Sequence, residues 1–283
     1  MIIRDAIREA SRKLECAGVD TPLHDASQML AHLLGEEALM MRMNGHRELD
    51  EAVYAAYKAM IRRREKREPM QYILGTAAFM GLEFHVEPGI LCPRPDTEIL
   101  CEEALRHVKP GSRVLDIGTG SGALAVSIAK LGGSCRVTAV DVSDTALRVA
   151  RENAERNSAQ VRFVKSDCFE ALRGEVFDVI VSNPPYICGE EMKTLMPEVM
   201  QEPELALYGG EDGLDFYRRI SGEAGEYLAP GGVLLFEIGW HQKEAVADLL
   251  RAHIGEPHAL RDYGDNWRVV WAGLDSEKRA VRP

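Results

Sequence analysis

Val114-Leu115-Asp116-Ile117-Gly118-Thr119-Gly120-Ser121-Gly122 runs straight into the apolar stretch Ala123 to Leu131, and this junction decides how the chain is read. The first four residues form a short buried strand, the glycines a turn, and the apolar stretch a helix. Glycines let backbone approach a ligand closely, and the first turn of the helix offers N–H groups that lack internal partners. The spacing is G-x-G-x-G. The dinucleotide pattern G-x-G-x-x-G is not met, because Ala123 and Leu124 follow Gly122. Asp116, an acid two residues before the first glycine, repels a pyrophosphate and attracts an ammonium or sulfonium. The expected cofactor is therefore S-adenosyl-L-methionine rather than NAD, held by Gly118, Thr119, Gly120, Ser121 and Gly122.

Two further strand ends complete this pocket. Asp141 closes the apolar run Val137 to Val140, about 20 residues beyond the glycines, where an acid accepts from both ribose hydroxyls. A third strand, Val161 to Val164, leads to Asp167, placed to accept from an adenine amino group, with Cys168 and Phe169 beside the ring. A single strand-end Asp more commonly caps a helix or turn. Three in order, at three successive strand ends, point instead to one crevice.

The fourth apolar run, Phe177 to Val181, stops at Asn183-Pro184-Pro185-Tyr186. Two prolines have no N–H and a fixed φ, so this corner is stiff and presents acceptors rather than donors. A substrate that brings N–H groups suits it, and an amide or an exocyclic amine is the simplest such ligand. Asn183, Pro184, Pro185 and Tyr186 are the expected catalytic residues, with Asn183 also bordering the cofactor. A plain strand terminator with Tyr186 in the core is the alternative for this tetrapeptide taken alone.

From Gly111 onward strands and helices alternate. Strands are expected at 113–117, 136–140, 161–165, 177–182 and 232–238, with a terminal hairpin from Pro257 to Asp262 and Trp267 to Trp271. Alternation of this kind means an open parallel sheet covered on both faces. Residues 1–75 read as helices only. Ile3, Ile7, Ala10 and Leu14 share a face, Thr21 and Pro22 form an N-cap and first helical position, and Asp50 opens a helix striped by Val53, Tyr57, Met60 and Ile61. That helix ends in Arg62-Arg63-Arg64-Glu65-Lys66-Arg67, read as a solvated face that complements the helix dipole, with contact to an acidic partner or RNA as the alternative. A hairpin around Gly81 within 76–95 is the expected link to a domain spanning 96–275, and 276–283 is an expected frayed tail.

At 283 residues the chain accommodates two domains. Its net charge is −11, yet residues 1–70 carry 12 basic and 12 acidic side chains, so the surplus acid lies downstream. An acidic sheet domain argues against tight non-specific binding to nucleic acid, which depends on Lys and Arg neutralising phosphates. Six scattered cysteines without C-x-x-C spacing and eight dispersed histidines leave no metal pattern, and no metal is expected. Reduced thiols, no apolar run of about 18 residues and no signal-peptide core predict a cytoplasmic protein without a membrane span. A monomer is expected.

Several motifs together resemble the HemK/PrmC family, the protein glutamine-N5 methyltransferases of peptide chain release factors. They are QYILG at Gln71 to Gly75, PRPDTE at Pro93 to Glu98, VLDIGTGSGALA at Val114 to Ala125, NPPYI at Asn183 to Ile187, EPELALYGGEDGLDFYRRI at Glu202 to Ile220, and FEIGWHQ at Phe236 to Gln242. The resemblance spans nearly the whole chain. It implies an α/β fold, a seven-stranded Rossmann-like class I S-adenosyl-L-methionine-dependent methyltransferase domain preceded by a small helical domain that docks the release factor. The implied acceptor is the glutamine of the Gly-Gly-Gln tripeptide in class 1 release factors, with Asn183 to Tyr186 gripping it and Asp167 and Cys168 bordering the adenine. Where some relatives carry an aromatic, this chain has Cys168, which implies either weaker adenine stacking or stacking supplied by Phe169. Sequence-specific nucleic-acid binding is not expected. The rival reading is an amino-group methyltransferase acting on adenine in DNA or RNA, which offers the same two N–H groups. A non-catalytic adaptor is opposed by the intact acids, and a nicotinamide oxidoreductase by the glycine spacing.

Overall fold

The computed structural model describes residues 1–275, so the expected tail at 276–283 lies outside the described residues. The chain divides into two compact units, Met1–Thr76 joined by Met196–Gln201, and Ala77–Leu195 continued from Glu202.

The first unit holds five helices: α1 (Ile3–Cys16), α2 (Pro22–Leu34), α3 (Ala38–Met43), α4 (Glu51–Glu65) and α5 (Met70–Leu74). Helical spacing puts Ile3, Ile7, Ala10 and Leu14 on one buried stripe of α1, packed against Met29 and Leu30 of α2 and Tyr57 and Ile61 of α4. Asp50 caps α4 by accepting from Ala52 N–H at 2.8 Å. Thr21 does not cap α2. Its hydroxyl donates to Asp25 Oδ1 at 2.7 Å, one helical turn ahead, which takes it away from the backbone. In the basic run Arg62, Arg63 and Lys66 are exposed, as a solvated face requires, but Arg64 and Arg67 are not. Arg64 is 7% exposed and donates to Asp25 Oδ2 (2.8 Å), to Glu68 O (3.0 Å) and to Glu198 Oε1 (2.8 Å). Arg67 forks onto both oxygens of the same Glu198 at 2.5 and 2.7 Å.

The second unit begins with the hairpin β1 (Thr76–Phe79) and β2 (Leu82–His85). Phe79 and Phe84 meet edge to face at 6.1 Å and bury in the apolar cluster of the sheet. Then follow α6 (Pro95–His107), β3 (Arg113–Ile117), α7 (Ala123–Leu131), β4 (Arg136–Asp141), α8 (Asp144–Arg156), β5 (Val161–Lys165) and β6 (Phe177–Ser182). The chain continues through α9 (Gly189–Met192), α10 (Asp215–Tyr227), β7 (Leu228–Glu237), α11 (Lys243–His253), β8 (Pro257–Arg261) and β9 (Trp267–Gly273). Seven strands form one sheet in the order β5-β4-β3-β6-β7-β9-β8, parallel from β5 to β7, with β9 antiparallel to both neighbours. β7 starts earlier than its expected 232, because a register irregularity between Phe177 and Val179 lets Leu228 pair as well.

Side chains alternate across this sheet as a period of two demands. Leu115, Ile117 and Ile180 pack with Tyr217 and Ile220 of α10 and Val246 and Leu250 of α11. Val114, Val179 and Val181 face the opposite side, with Leu100 of α6 and Val126 of α7. Among the described residues no helix is long and apolar enough to cross a membrane.

Candidate active site

β3 and β6 are neighbours, but β3 leads toward β4 and β5 on one side and β6 toward β7 on the other. Loops leaving two such strands diverge and open a crevice at the carboxyl ends of the sheet. Ile117 pairs with Ser182, so Gly118 and Asn183 leave the sheet side by side. Ser182 Oγ donates to Ile117 O at 2.8 Å and ties the two exits together.

Of the residues expected from sequence, Gly118 to Ser121, Asp141, Asp167, Cys168 and Asn183 to Pro185 line one crevice. The loop is fixed from behind. Gly118 and Thr119 both donate N–H to Val140 O at 2.9 and 3.0 Å, and Gly120 N–H donates to Asp141 Oδ2 at 2.9 Å. Asp141 Oδ1 accepts from Ser143 N–H at 2.9 Å. Burial raises the Asp141 carboxyl above its ordinary value, and these backbone N–H groups oppose the shift. Each oxygen keeps a lone pair for a further donor, as two neighbouring hydroxyls would provide.

Four expectations need correction. Asp116 does not face the crevice: it is fully buried, with Oδ2 accepting from Thr119 Oγ1 (2.6 Å) and Ala125 N–H (3.2 Å) and Oδ1 unpartnered. Strand alternation turns it toward α7, whose first turn it serves, and burial pushes its carboxyl up to about 7. Gly122 lies outside the crevice as well. A Cβ there would sit 3.0 Å from Ala150 Cβ, so this glycine permits α7 and α8 to approach. Phe169 is fully buried and stacks on Tyr227 at 4.4 Å, in the core rather than beside the adenine position. Tyr186 packs on the apolar cluster behind the corner rather than lining the crevice, with the buried Glu237 carboxyl nearby.

Asp167 lies where expected but is not free. Arg219 of α10 donates to its Oδ1 at 2.6 Å and to its carbonyl at 3.2 Å. Cys168 takes a left-handed backbone (φ 48°), and burial pushes its thiol up to about 12, so it is a neutral wall and no nucleophile.

The NPPY corner is braced on two sides. Gly209 packs so closely that a Cβ would lie 2.6 Å from Pro185 O, and Gln242 Nε2 donates to Tyr186 O at 3.0 Å. Asn183 Nδ2 donates to Thr97 Oγ1 at 3.1 Å. Sequence reasoning quoted Thr97 only within PRPDTE and missed this bond, and it passed over Arg219 and Glu237. PRPDTE, FYRRI and FEIGWHQ carry all three, but no spacing rule links residues so distant in sequence.

A seven-stranded sheet with this strand order, a glycine loop and an acceptor corner at its switch point define a methyltransferase domain, and the comparisons agree. Residues 82–210 match the family model "Methyltransferase small domain", and residues 5–75 match "PrmC N-terminal domain". A methyltransferase of Pyrococcus furiosus superposes with a TM-score of 0.54 at 25% identity, over 70% of this chain and 90% of that one. The Thermus thermophilus 16S rRNA N2 G1207 methyltransferase, in complex with AdoMet and guanosine, gives 0.52 at 25% identity over 71% of this chain and 50% of that one. The release factor glutamine methyltransferase of Geobacter sulfurreducens is 46% identical over 230 residues, 81% of each chain. That of Clostridium acetobutylicum is 39% identical over 88% of this chain and 90% of its own. This protein belongs to the release factor glutamine methyltransferase family.

Proposed function

We propose that this protein transfers a methyl group from S-adenosyl-L-methionine to the side-chain amide nitrogen (N5) of the glutamine in the Gly-Gly-Gln tripeptide of class 1 release factors. The observation that carries the reading is one crevice lined by both the Gly118 to Ser121 loop and the Asn183 to Pro185 corner. The residues fit the donor chemically. Asp141 retains acceptor capacity for ribose hydroxyls, Asp167 Oδ2 for an amino group, and the wall between them is the neutral Cys168. Bound there, S-adenosyl-L-methionine supplies an electrophilic methyl on a sulfonium sulfur.

A carboxamide nitrogen is a poor nucleophile because its lone pair is delocalised. Asn183 Oδ1 and the Pro184 carbonyl accept its two N–H bonds, draw the amide into line, and follow the charge as nitrogen becomes positive. No early base is required, since the proton becomes acidic only as the methyl arrives. Pro184 and Pro185 keep the corner free of competing donors. Tyr186 supports it from behind.

We read the protein as a cytoplasmic monomer without sequence-specific nucleic-acid binding. Six unpaired cysteines and the acidic surplus downstream of residue 70 support the first and last of these. The deciding experiment incubates the chain with labelled S-adenosyl-L-methionine and a release factor, duplex DNA or RNA, and locates the methyl by mass spectrometry. Label on the release-factor glutamine is expected. Label on adenine alone would overturn the proposal.

A further inference from the structure

Buried polar groups lie behind Asn183. Glu237 closes β7, is 1% exposed, and its carboxyl lies near the hydroxyls of Thr97 and Tyr186, which oppose the effect of its burial. Thr97, in the first turn of α6, is 6% exposed and accepts from Asn183 Nδ2 at 3.1 Å. A hydroxyl oxygen accepts while its own proton points elsewhere. In this bond Thr97 Oγ1 is the acceptor and Asn183 Nδ2 the donor. An acceptor there selects the amide nitrogen of Asn183, not its oxygen. The oxygen is thereby left for the crevice.

We propose that Thr97 is a positioning residue for methyl transfer: its hydroxyl oxygen fixes which end of the Asn183 amide faces the acceptor substrate. The two ends of a carboxamide have nearly the same shape, so packing alone discriminates weakly between them. Hydrogen bonding must choose. A flipped Asn183 would present N–H groups to a substrate amide that itself brings N–H groups, and two donors repel. The inference rests on the role assigned to Asn183 under the proposed function, and it gives PRPDTE a task beyond opening a helix.

The test compares Thr97→Val, Thr97→Ala and Thr97→Ser with the unaltered protein, using a release factor as acceptor and calorimetric titration of S-adenosyl-L-methionine as a measure of folding and cofactor binding. Loss of the hydroxyl is expected to lower kcat about 10- to 100-fold, the scale of a small misplacement at a reacting centre. The affinity for S-adenosyl-L-methionine should stay within about threefold, because the glycine loop and Asp141 are untouched. Thr97→Ser keeps the hydroxyl and should recover most of the rate. Equal loss in Thr97→Ser and Thr97→Val would show that the methyl group matters and the hydroxyl does not, which overturns the inference. So would Thr97→Val turnover within twofold of the unaltered protein. Should Thr97→Val lose cofactor binding, the Ala and Ser pair decides by the same criterion. Failure of the unaltered protein to label the glutamine would instead refute the proposed function.

Discussion

Under the proposed function the chemistry at Asn183 narrows to one oxygen. Asn183→Ala removes that acceptor together with the bond from its nitrogen to Thr97 at 3.1 Å. Turnover should fall below detection while the affinity for S-adenosyl-L-methionine changes by no more than a few-fold, measured by single-turnover labelling and calorimetry. Normal methylation by this variant would refute the acceptor role. Gly209 makes a second, steric prediction. A Cβ at this position would come within 2.6 Å of Pro185 O and 2.7 Å of Tyr186 Cα, closer than van der Waals contact allows, and both neighbours are backbone. Gly209→Ala must therefore displace the corner. It should cost about 1–3 kcal/mol of stability and cut kcat more than it weakens cofactor binding. Asn183 and its prolines were legible in the sequence because a strand that ends on two prolines has few structural options. Gly209 was visible only as part of a resemblance, since its reason is a contact 24 residues away in the chain.

Among elements, legibility followed periodicity. β3 and α7 were readable to the residue, because an apolar run, glycines and a second apolar run each obey a local rule. The role of Asp116 was misread for the opposite reason: the face a strand residue takes depends on the layers around it, and α7 lies on that side. At the basic end of α4, Arg64 and Arg67 were misread similarly. Their partners include Asp25 of α2 and Glu198 of a distant segment, and nothing in Arg62 to Arg67 announces them. Burial raises the Glu198 carboxyl, but the bonds from Arg67 and Arg64 outweigh it and hold the group below the ordinary glutamate range. Such a group stabilises the fold above its unfolded value of about 4.3, and the contribution disappears as pH falls through the lower folded value. Glu198→Ala also leaves a nearly buried arginine with one fewer anion. It should cost about 2–4 kcal/mol at neutral pH, seen as a lower thermal midpoint, and the gap to the unaltered protein should narrow as pH falls below the ordinary glutamate range. A gap that persists at acid pH would show that packing, not charge, is what Glu198 provides.

Across the molecule, two carboxylates sit where ionisation is resisted: Asp116 on β3 and Glu237 on β7, each pushed up to about 7 by burial. Hydrogen bonds from Thr119 and Ala125 oppose the shift at Asp116, as Thr97 and Arg268 do at Glu237, without cancelling it. The unfolded chain releases both protons near the ordinary carboxylate values of about 4, whereas the folded chain holds them to about 7. Between those limits the native state binds more protons than the unfolded state, so these two groups make stability fall as pH rises from about 4 to about 7 and leave it level above. The fold accepts this cost at the strands that flank the switch-point strand β6, one tying down the glycine loop and the other beside Thr97. Asp116→Asn preserves a carbonyl oxygen for Thr119 and Ala125 and has no proton to lose. Its urea midpoint should differ less between pH 5 and pH 8 than that of the unaltered protein, with the remaining slope removed in large part by adding Glu237→Gln. If Asp116→Asn shows the full pH difference of the unaltered protein, the carboxylate is not held neutral and the account of the glycine loop's support is wrong.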